Sequence, residues 1–204
     1  MPQSLFERAA AFAAEAHAGA VRIGGQPYLL HPMEVTLILS GMTNDPEVLA
    51  AGMLHDVVED TPHTSREIAE RFGPRVAALV ASETEDKQRE HPPEQTWWQR
   101  KSASLDGLRG AEDDGIRMLW LGDKLSNMRS FARQYRRVGD ALWQQFHQKD
   151  PVAQAWYYRS IVRLLSPLAE YPAYREFTAL VSEVFRDVPI KEEEEHDATD
   201  KKPH

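Results

Sequence analysis

The chain has 204 residues, 42% of them hydrophobic, with 32 acidic against 24 basic side chains and a formal charge of −8. That length suits one domain with its own core, and the acidic balance argues against a nucleic-acid polymer as partner, because phosphate backbones select basic surfaces. The absence of cysteine excludes disulfides, thiolate catalysis and zinc–thiolate sites.

In chain order, almost every segment reads as helix. Residues 5–19 are Ala-rich, with Phe12 and Ala16 at helical spacing and Gly19 as the expected C-cap. Residues 21–32 carry Gly24, Gly25, Pro27 and Pro32 and read as a loop. Helix resumes at Met33 and runs to about Gly41. Asp45-Pro46 opens the next, with Asp as N-cap and Pro at the first position; it ends near His55-Asp56 or passes through them. Thr64 or Ser65 caps a short helix to Phe72-Gly73, and Pro74 starts another that runs to about Thr84. Residues 85–96 are polar, contain Pro92-Pro93 and read as a mobile loop, and residues 97–108, 114–131, 140–148, 151–168 and 172–185 complete the helices. No stretch alternates with period two, so an all-α fold without sheet is expected. The expected domain covers residues 1–186. Residues 187–204, with Lys191 followed by four consecutive Glu, are expected to form a disordered acidic tail. The N-terminus has neither a signal-peptide core nor a membrane span, so a cytoplasmic protein is the plain reading.

The run Leu54-His55-Asp56-Val57-Val58-Glu59-Asp60-Thr61 is the most informative. An adjacent His and Asp can grip one metal ion from a helix end. Residues four apart share a helix face, which places His55 near Glu59 and Asp56 near Asp60. A His-Asp pair alone is a weak signal. His31 upstream and Asp123 downstream bring the set to four N and O donors, which suits a first-row divalent metal. Asp123 between Leu121 and Leu125 would be costly to bury without a partner. Such a metal, with a few local cations, would let an acidic protein take a small anionic substrate. The remaining histidines show no partner pattern and read as structural or solvent-facing. Trp97, Trp98, Trp143 and the run Trp156-Tyr157-Tyr158 read as core or interface aromatics. Arg22, Lys101, Lys124 and Arg129 read equally well as surface cations or as phosphate contacts.

Together these residues resemble the HD-domain metal-dependent phosphohydrolases. They look most like the hydrolase domain of RelA/SpoT-type enzymes and their small single-domain relatives, which degrade (p)ppGpp. Four segments carry the resemblance in order: Ala16-His17-Ala18-Gly19 with Arg22 and the run Gly25 to Pro32; Leu54 to Thr61; Phe72 to Val80; and Gly122 to Arg129. It covers roughly residues 9–133. It implies a helical bundle with a central metal site. His31, His55, Asp56 and Asp123 would be the ligands of a usually manganese ion, and Glu59 and Asp60 the acidic pair needed for hydrolysis. Arg22 and Asn127 would be substrate contacts, and Lys101 and Lys124, read from their charge alone, are added to them as candidates. The implied reaction is 3′-pyrophosphohydrolysis of guanosine 3′,5′-bis(diphosphate). The alternatives are an HD phosphatase on another nucleotide, NADPH included, or an inactive nucleotide sensor. The chain departs from the family pattern at Ile23, where a Lys is usual, at Gly122, where Ala is usual, and at Ser126, where His is usual.

Overall fold

The computed structural model describes residues 2–22, 25–88 and 90–189. Ile23 and most of the expected acidic tail lie outside the described residues. Among the described residues there are ten α-helices, two 3₁₀ segments and no strand; one isolated bridge pairs Val21 with Pro27. No helix of the described residues is long and apolar enough to cross a membrane.

The first half of the chain holds α1 (Leu5–Ala16), α2 (Leu30–Ser40), α3 (Pro46–Leu54), α4 (Val57–Asp60), α5 (Ser65–Phe72) and α6 (Pro74–Glu83). The second half holds α7 (Pro93–Arg109), α8 (Asp114–Val138), α9 (Pro151–Leu164) and α10 (Pro172–Val184), with 3₁₀ segments at Gly139–Gln145 and Ser166–Leu168. The caps show why the boundaries fall there. Ser4 and Glu7 form a reciprocal capping box on α1, and Asp45, Thr64, Asp113 and Asp150 each accept a backbone N–H of the helix they open.

Several boundaries differ from the sequence reading. α1 ends one turn early: His17 is its C-cap, and Gly19 takes its positive φ in the following turn. α2 begins at Leu30 rather than Met33, since Pro32 in the first turn needs no N–H partner there. α7 begins at Pro93, because the second proline of the pair sits at the first helical position. α8 continues past Phe131, where Tyr135 and Val138 still pack on the core, and stops at Gly139 with φ +56°. Where an α-helix over 140–148 is expected, a 3₁₀ segment spans Gly139–Gln145, and α9 ends at Leu164, short of Pro167.

Two hydrophobic clusters form the core. One gathers Phe12, Val35, Leu39, Leu54, Ile68 and Val76 from α1–α6; the other gathers Trp97, Leu125, Trp143, Tyr158, Ile161 and Phe177 from the second half. α8 joins them, with Leu119 in the first and Trp120 and Leu121 in the second. The functional region lies where α2, α3 and α8 meet, and two glycines let them approach. A Cβ on Gly52 of α3 would stand 2.6 Å from Leu39 Cδ1 and 2.9 Å from Thr36 Oγ1 on α2. A Cβ on Gly122 of α8 would meet Val35 Cγ1 of α2 at 3.2 Å, which gives the departure from the usual Ala a packing reason.

Candidate functional site

The helix carrying the His-Asp pair does not pass through it. α3 ends at Leu54, His55 is its C-cap, Asp56 sits at φ −90° and ψ −7°, and α4 starts at Val57. This break corrects the expectation of one continuous helical face from His55 to Glu59. Asp56 and Asp60 do remain a helical turn apart, through the Asp60 N–H to Asp56 carbonyl bond of 2.9 Å. Glu59 turns instead toward the α6–α7 connection and accepts the Glu85 N–H at 3.0 Å.

His31 from α2, His55 from the end of α3 and Asp123 from α8 are all buried, and one ligand atom of each lies within 4.8 Å of the others. His31 Nε2 is 3.0 Å from Asp123 Oδ1 and 3.2 Å from His55 Nε2. Asp56 Oδ2 reaches both rings, at 3.1 Å from His55 Nε2 and 3.5 Å from His31 Nε2.

The outer partners decide the tautomers. His55 Nδ1 faces the Gly52 carbonyl at 2.9 Å. A carbonyl only accepts, so Nδ1 carries a proton, and in the neutral ring Nε2 keeps the lone pair that a metal would take. Ser126 donates its hydroxyl to Glu34 at 2.7 Å, so the serine oxygen is left to accept from His31 Nδ1 at 2.9 Å. Serine thus takes the orienting role at the position where histidine is usual. Both imidazoles in this state aim lone pairs at one point that the Asp123 carboxylate also faces, with Asp56 Oδ2 within 3.5 Å of both Nε2 atoms. Burial opposes protonation of His55, yet Asp56 and Asp123 beside it hold its imidazole well above the usual range, so these groups call for positive charge between them, as a proton or as a bound cation. Their separations of 3.0–3.7 Å match neighbouring ligands of one ion held at about 2.0–2.2 Å, which stand roughly 3–3.6 Å apart. The residues present therefore fit a divalent metal.

The second carboxylate oxygen of Asp123 accepts from Lys124 Nζ at 2.5 Å, and Oδ1 accepts from Asn127 Nδ2 at 2.7 Å. Burial opposes ionisation of Asp123, yet Lys124 beside it holds its carboxyl well below the usual carboxylate range. Lys124 is itself shared with Glu83 at 3.1 Å and lies 4.7 Å over the Trp120 ring. Its charge is thus engaged by the ligand set.

These groups open into a cleft of about 390 Å³, which continues into a second of about 530 Å³ through Glu59, Glu85, Lys87, Lys101, Phe131, Phe146 and Tyr157. Every sequence-derived site residue lines the first cleft except His55, which lies beneath it. Six carboxylates against four cations line it, an imbalance that a divalent ion would offset. Arg22 donates to Asn127 Oδ1 at 2.7 Å. Lys101 donates to Glu85 at 2.6 Å and lies 5.0 Å over the Tyr157 ring. Burial, with Lys124 and Arg100 nearby, brings its ammonium down to about 7. Burial and the adjacent Asp56 push the Glu59 carboxyl upward. Arg129, another candidate cation, turns away to Glu176 and Glu34.

Two residues escaped the sequence reading. Tyr28 donates to Asp56 at 2.6 Å and lies 2.8 Å from Asp60, backed by the stacked ring of His17. Lys87 is paired with both Glu59 and Asp60. Tyr28 lies three residues before His31, a proximity that could have pointed to it. Lys87 sits in a polar stretch with no local signal.

Comparison with known proteins gives a consistent outcome. The HD domain pattern matches residues 9–153. The chain is 40% identical over 124 residues to a guanosine-3′,5′-bis(diphosphate) 3′-pyrophosphohydrolase of Aquifex aeolicus, covering 61% of this chain and 17% of that protein. It is 36% identical over 124 residues to the bifunctional (p)ppGpp synthase/hydrolase SpoT of Escherichia coli, covering 58% and 17%. The chain thus spans about a sixth of these relatives' length. Among solved structures it superposes on a metazoan ortholog of SpoT, described as hydrolysing ppGpp and acting in starvation responses, with a TM-score of 0.65 and 25% identity over 91% of this chain and 96% of that one. A protein of Listeria monocytogenes gives a TM-score of 0.66 and 32% identity over 76% and 99%.

Proposed function

This chain belongs to the HD-domain family, and from that premise we propose that it is a metal-dependent phosphohydrolase acting on guanosine 3′,5′-bis(diphosphate). The observation that carries the reading is the convergence of lone pairs from His31 and His55 with the carboxylates of Asp56 and Asp123. In this reading those four residues hold the metal, and the mixed N and O donors admit manganese together with other first-row divalent ions. When bound, such an ion lowers the pKa of water and withdraws charge from a phosphoryl oxygen.

The chain's own residues supply the rest. Glu59 and Asp60 face the cleft beside Asp56 and take the proton of the attacking water, with Tyr28 and Lys87 fixing their carboxylates. Water adds to the phosphorus next to the ribose 3′ oxygen, and the P–O3′ bond breaks. The 3′ oxygen leaves with a proton, giving GDP and pyrophosphate. Arg22 and Lys101, both in the wall of the cleft, contact the substrate's anionic groups. Asn127 orients both Asp123 and Arg22. In this reading the protein works in the cytoplasm, where a nucleotide substrate would meet it.

The test is turnover of a nucleotide panel with Mn²⁺, with phosphate and pyrophosphate detected separately. Pyrophosphate release from ppGpp is the expected result. Phosphate release from another nucleotide, NADPH included, would move the assignment to a different substrate, and metal binding without turnover would make the site a sensor.

A further inference from the structure

α2 and α8 meet through side chains three residues apart, which share a helix face. α2 contributes His31 and Glu34; α8 contributes Asp123, Ser126 and Arg129. Their contacts interleave. His31 Nε2 lies 3.0 Å from Asp123, and its Nδ1 lies 2.9 Å from the Ser126 hydroxyl. Ser126 donates to Glu34 Oε2 at 2.7 Å, and Glu34 Oε1 accepts from Arg129 Nη1 at 3.1 Å. Glu176 of α10 grips Arg129 in turn, accepting from Nε and Nη2 at 2.7 Å each. Ser126 is buried, and Glu176 lies beyond the residues 9–153 that match the family pattern.

A serine hydroxyl donates or accepts, so Ser126 alone selects no tautomer of His31. Donating to Nδ1, it would leave the ring proton on Nε2, the nitrogen turned toward Asp123. Accepting from Nδ1, it leaves the Nε2 lone pair free for a cation. The group behind the serine decides between the two. We propose that Glu34 is a positioning residue of the metal site: it fixes the direction of the Ser126 hydroxyl and, through it, the tautomer of His31. A carboxylate only accepts, so the serine proton must point to Glu34 and away from the ring. The inference rests on the reading of His31 as a metal ligand and not on the choice of substrate.

Arg129 makes the carboxylate irreplaceable by its amide. A guanidinium only donates, so Glu34 stands between two donors and serves one with each oxygen. Glutamine has a single oxygen for both. With its carbonyl on Arg129, its amino group donates to Ser126, and the serine hydroxyl turns to His31 and reverses the tautomer. With its carbonyl on Ser126, its amino group faces a guanidinium N–H. The two-pronged grip of Glu176 keeps that guanidinium from turning away. Without Arg129 the conflict disappears, because the amide is then free to offer its oxygen to Ser126.

The test is the Mn²⁺ affinity of the full chain by titration calorimetry. The Nδ1 proton signal of His31 in Zn²⁺-saturated protein reports whether Ser126 accepts from it. Glu34→Gln should weaken Mn²⁺ binding by about 10–100-fold and move that signal upfield, with helical content retained. Glu34→Gln combined with Arg129→Met should recover most of the affinity and the signal, while Arg129→Met alone should bind as wild type does. In Ser126→Ala protein, Glu34→Gln should weaken binding no further. A mere clamp between α2 and α8 would behave otherwise, since removing Arg129 as well would deepen the loss. Glu34→Gln with wild-type affinity and signal, or a double variant weaker than Glu34→Gln, would overturn the proposal and leave the metal reading standing. A wild type that binds no Mn²⁺ would overturn both.

Discussion

Tyr28 donates its hydroxyl to Asp56 at 2.6 Å, and the same oxygen lies 2.8 Å from Asp60. One phenol proton therefore ties the carboxylate proposed as a metal ligand to a member of the proposed acidic pair. Tyr28→Phe removes that tie and leaves the ring stacked on His17. Outer partners of metal ligands are worth about 10–100-fold in affinity or activity. We expect metal affinity and kcat both to fall by about tenfold or more while KM changes little. Unchanged values of both would show that Tyr28 is only a wall of the cleft.

Because a metal that binds only the native state stabilises it, chelation should lower the melting temperature. At a metal concentration of about 100 Kd the loss is about 2.7 kcal/mol. For a domain of this size that corresponds to roughly 5–10 °C. Asp123→Ala should show no such chelator effect and should purify without metal. An Asp123→Ala protein with full metal content would remove Asp123 from the ligand set.

Glu59→Gln and Asp60→Asn change shape little and each removes a proton acceptor. Both variants should keep metal content and fold while turnover drops about 10²–10⁴-fold. Wild-type rates in both would end their catalytic assignment.

Lys101 carries a pH prediction. Burial depresses its ammonium to about 7, so the side chain is charged below that pH and neutral above it. If it meets a phosphate, KM for ppGpp should rise as pH increases through about 7, because the cation is lost. Lys101→Arg, whose guanidinium stays charged, should abolish that rise. A KM profile identical in wild type and Lys101→Arg would contradict the contact.

Gly52 tests the packing that brings the two imidazoles together. A methyl there would meet Leu39 and Thr36 well inside contact distance, and overpacking costs about 1–3 kcal/mol. That outweighs the gain of about 1 kcal/mol in helix propensity. Gly52→Ala should therefore melt lower and bind metal more weakly. Gly107→Ala, at a helical position where a Cβ meets nothing within 4 Å, should melt slightly higher. Equal gains in both would show that the α2–α3 spacing is not tight.

The helical class, most helix starts, the four candidate ligands and the acidic pair are legible along the chain, whereas Tyr28 and Lys87 are not. Those features are local: caps such as Asp45 and Thr64, prolines at first helical positions, and His-Asp with Glu-Asp one turn on. They follow from hydrogen bonds within a few residues, so they can be read in order along the chain. How far apart the donors stand, and which way each nitrogen faces, depends on the packing of helices distant in sequence. His31 and Asp123 are 92 positions apart along the chain, yet their ligand atoms are 3.0 Å apart, because Gly52 and Gly122 allow three helices to close. The roles of Ser126, Tyr28 and Lys87 likewise come from partners distant in sequence. The break after Leu54 was undecided for a similar reason: the chain there favours helix, and the bond between the His55 ring and the Gly52 carbonyl, with Asp56 turned toward Tyr28, goes with the bend that separates α3 from α4.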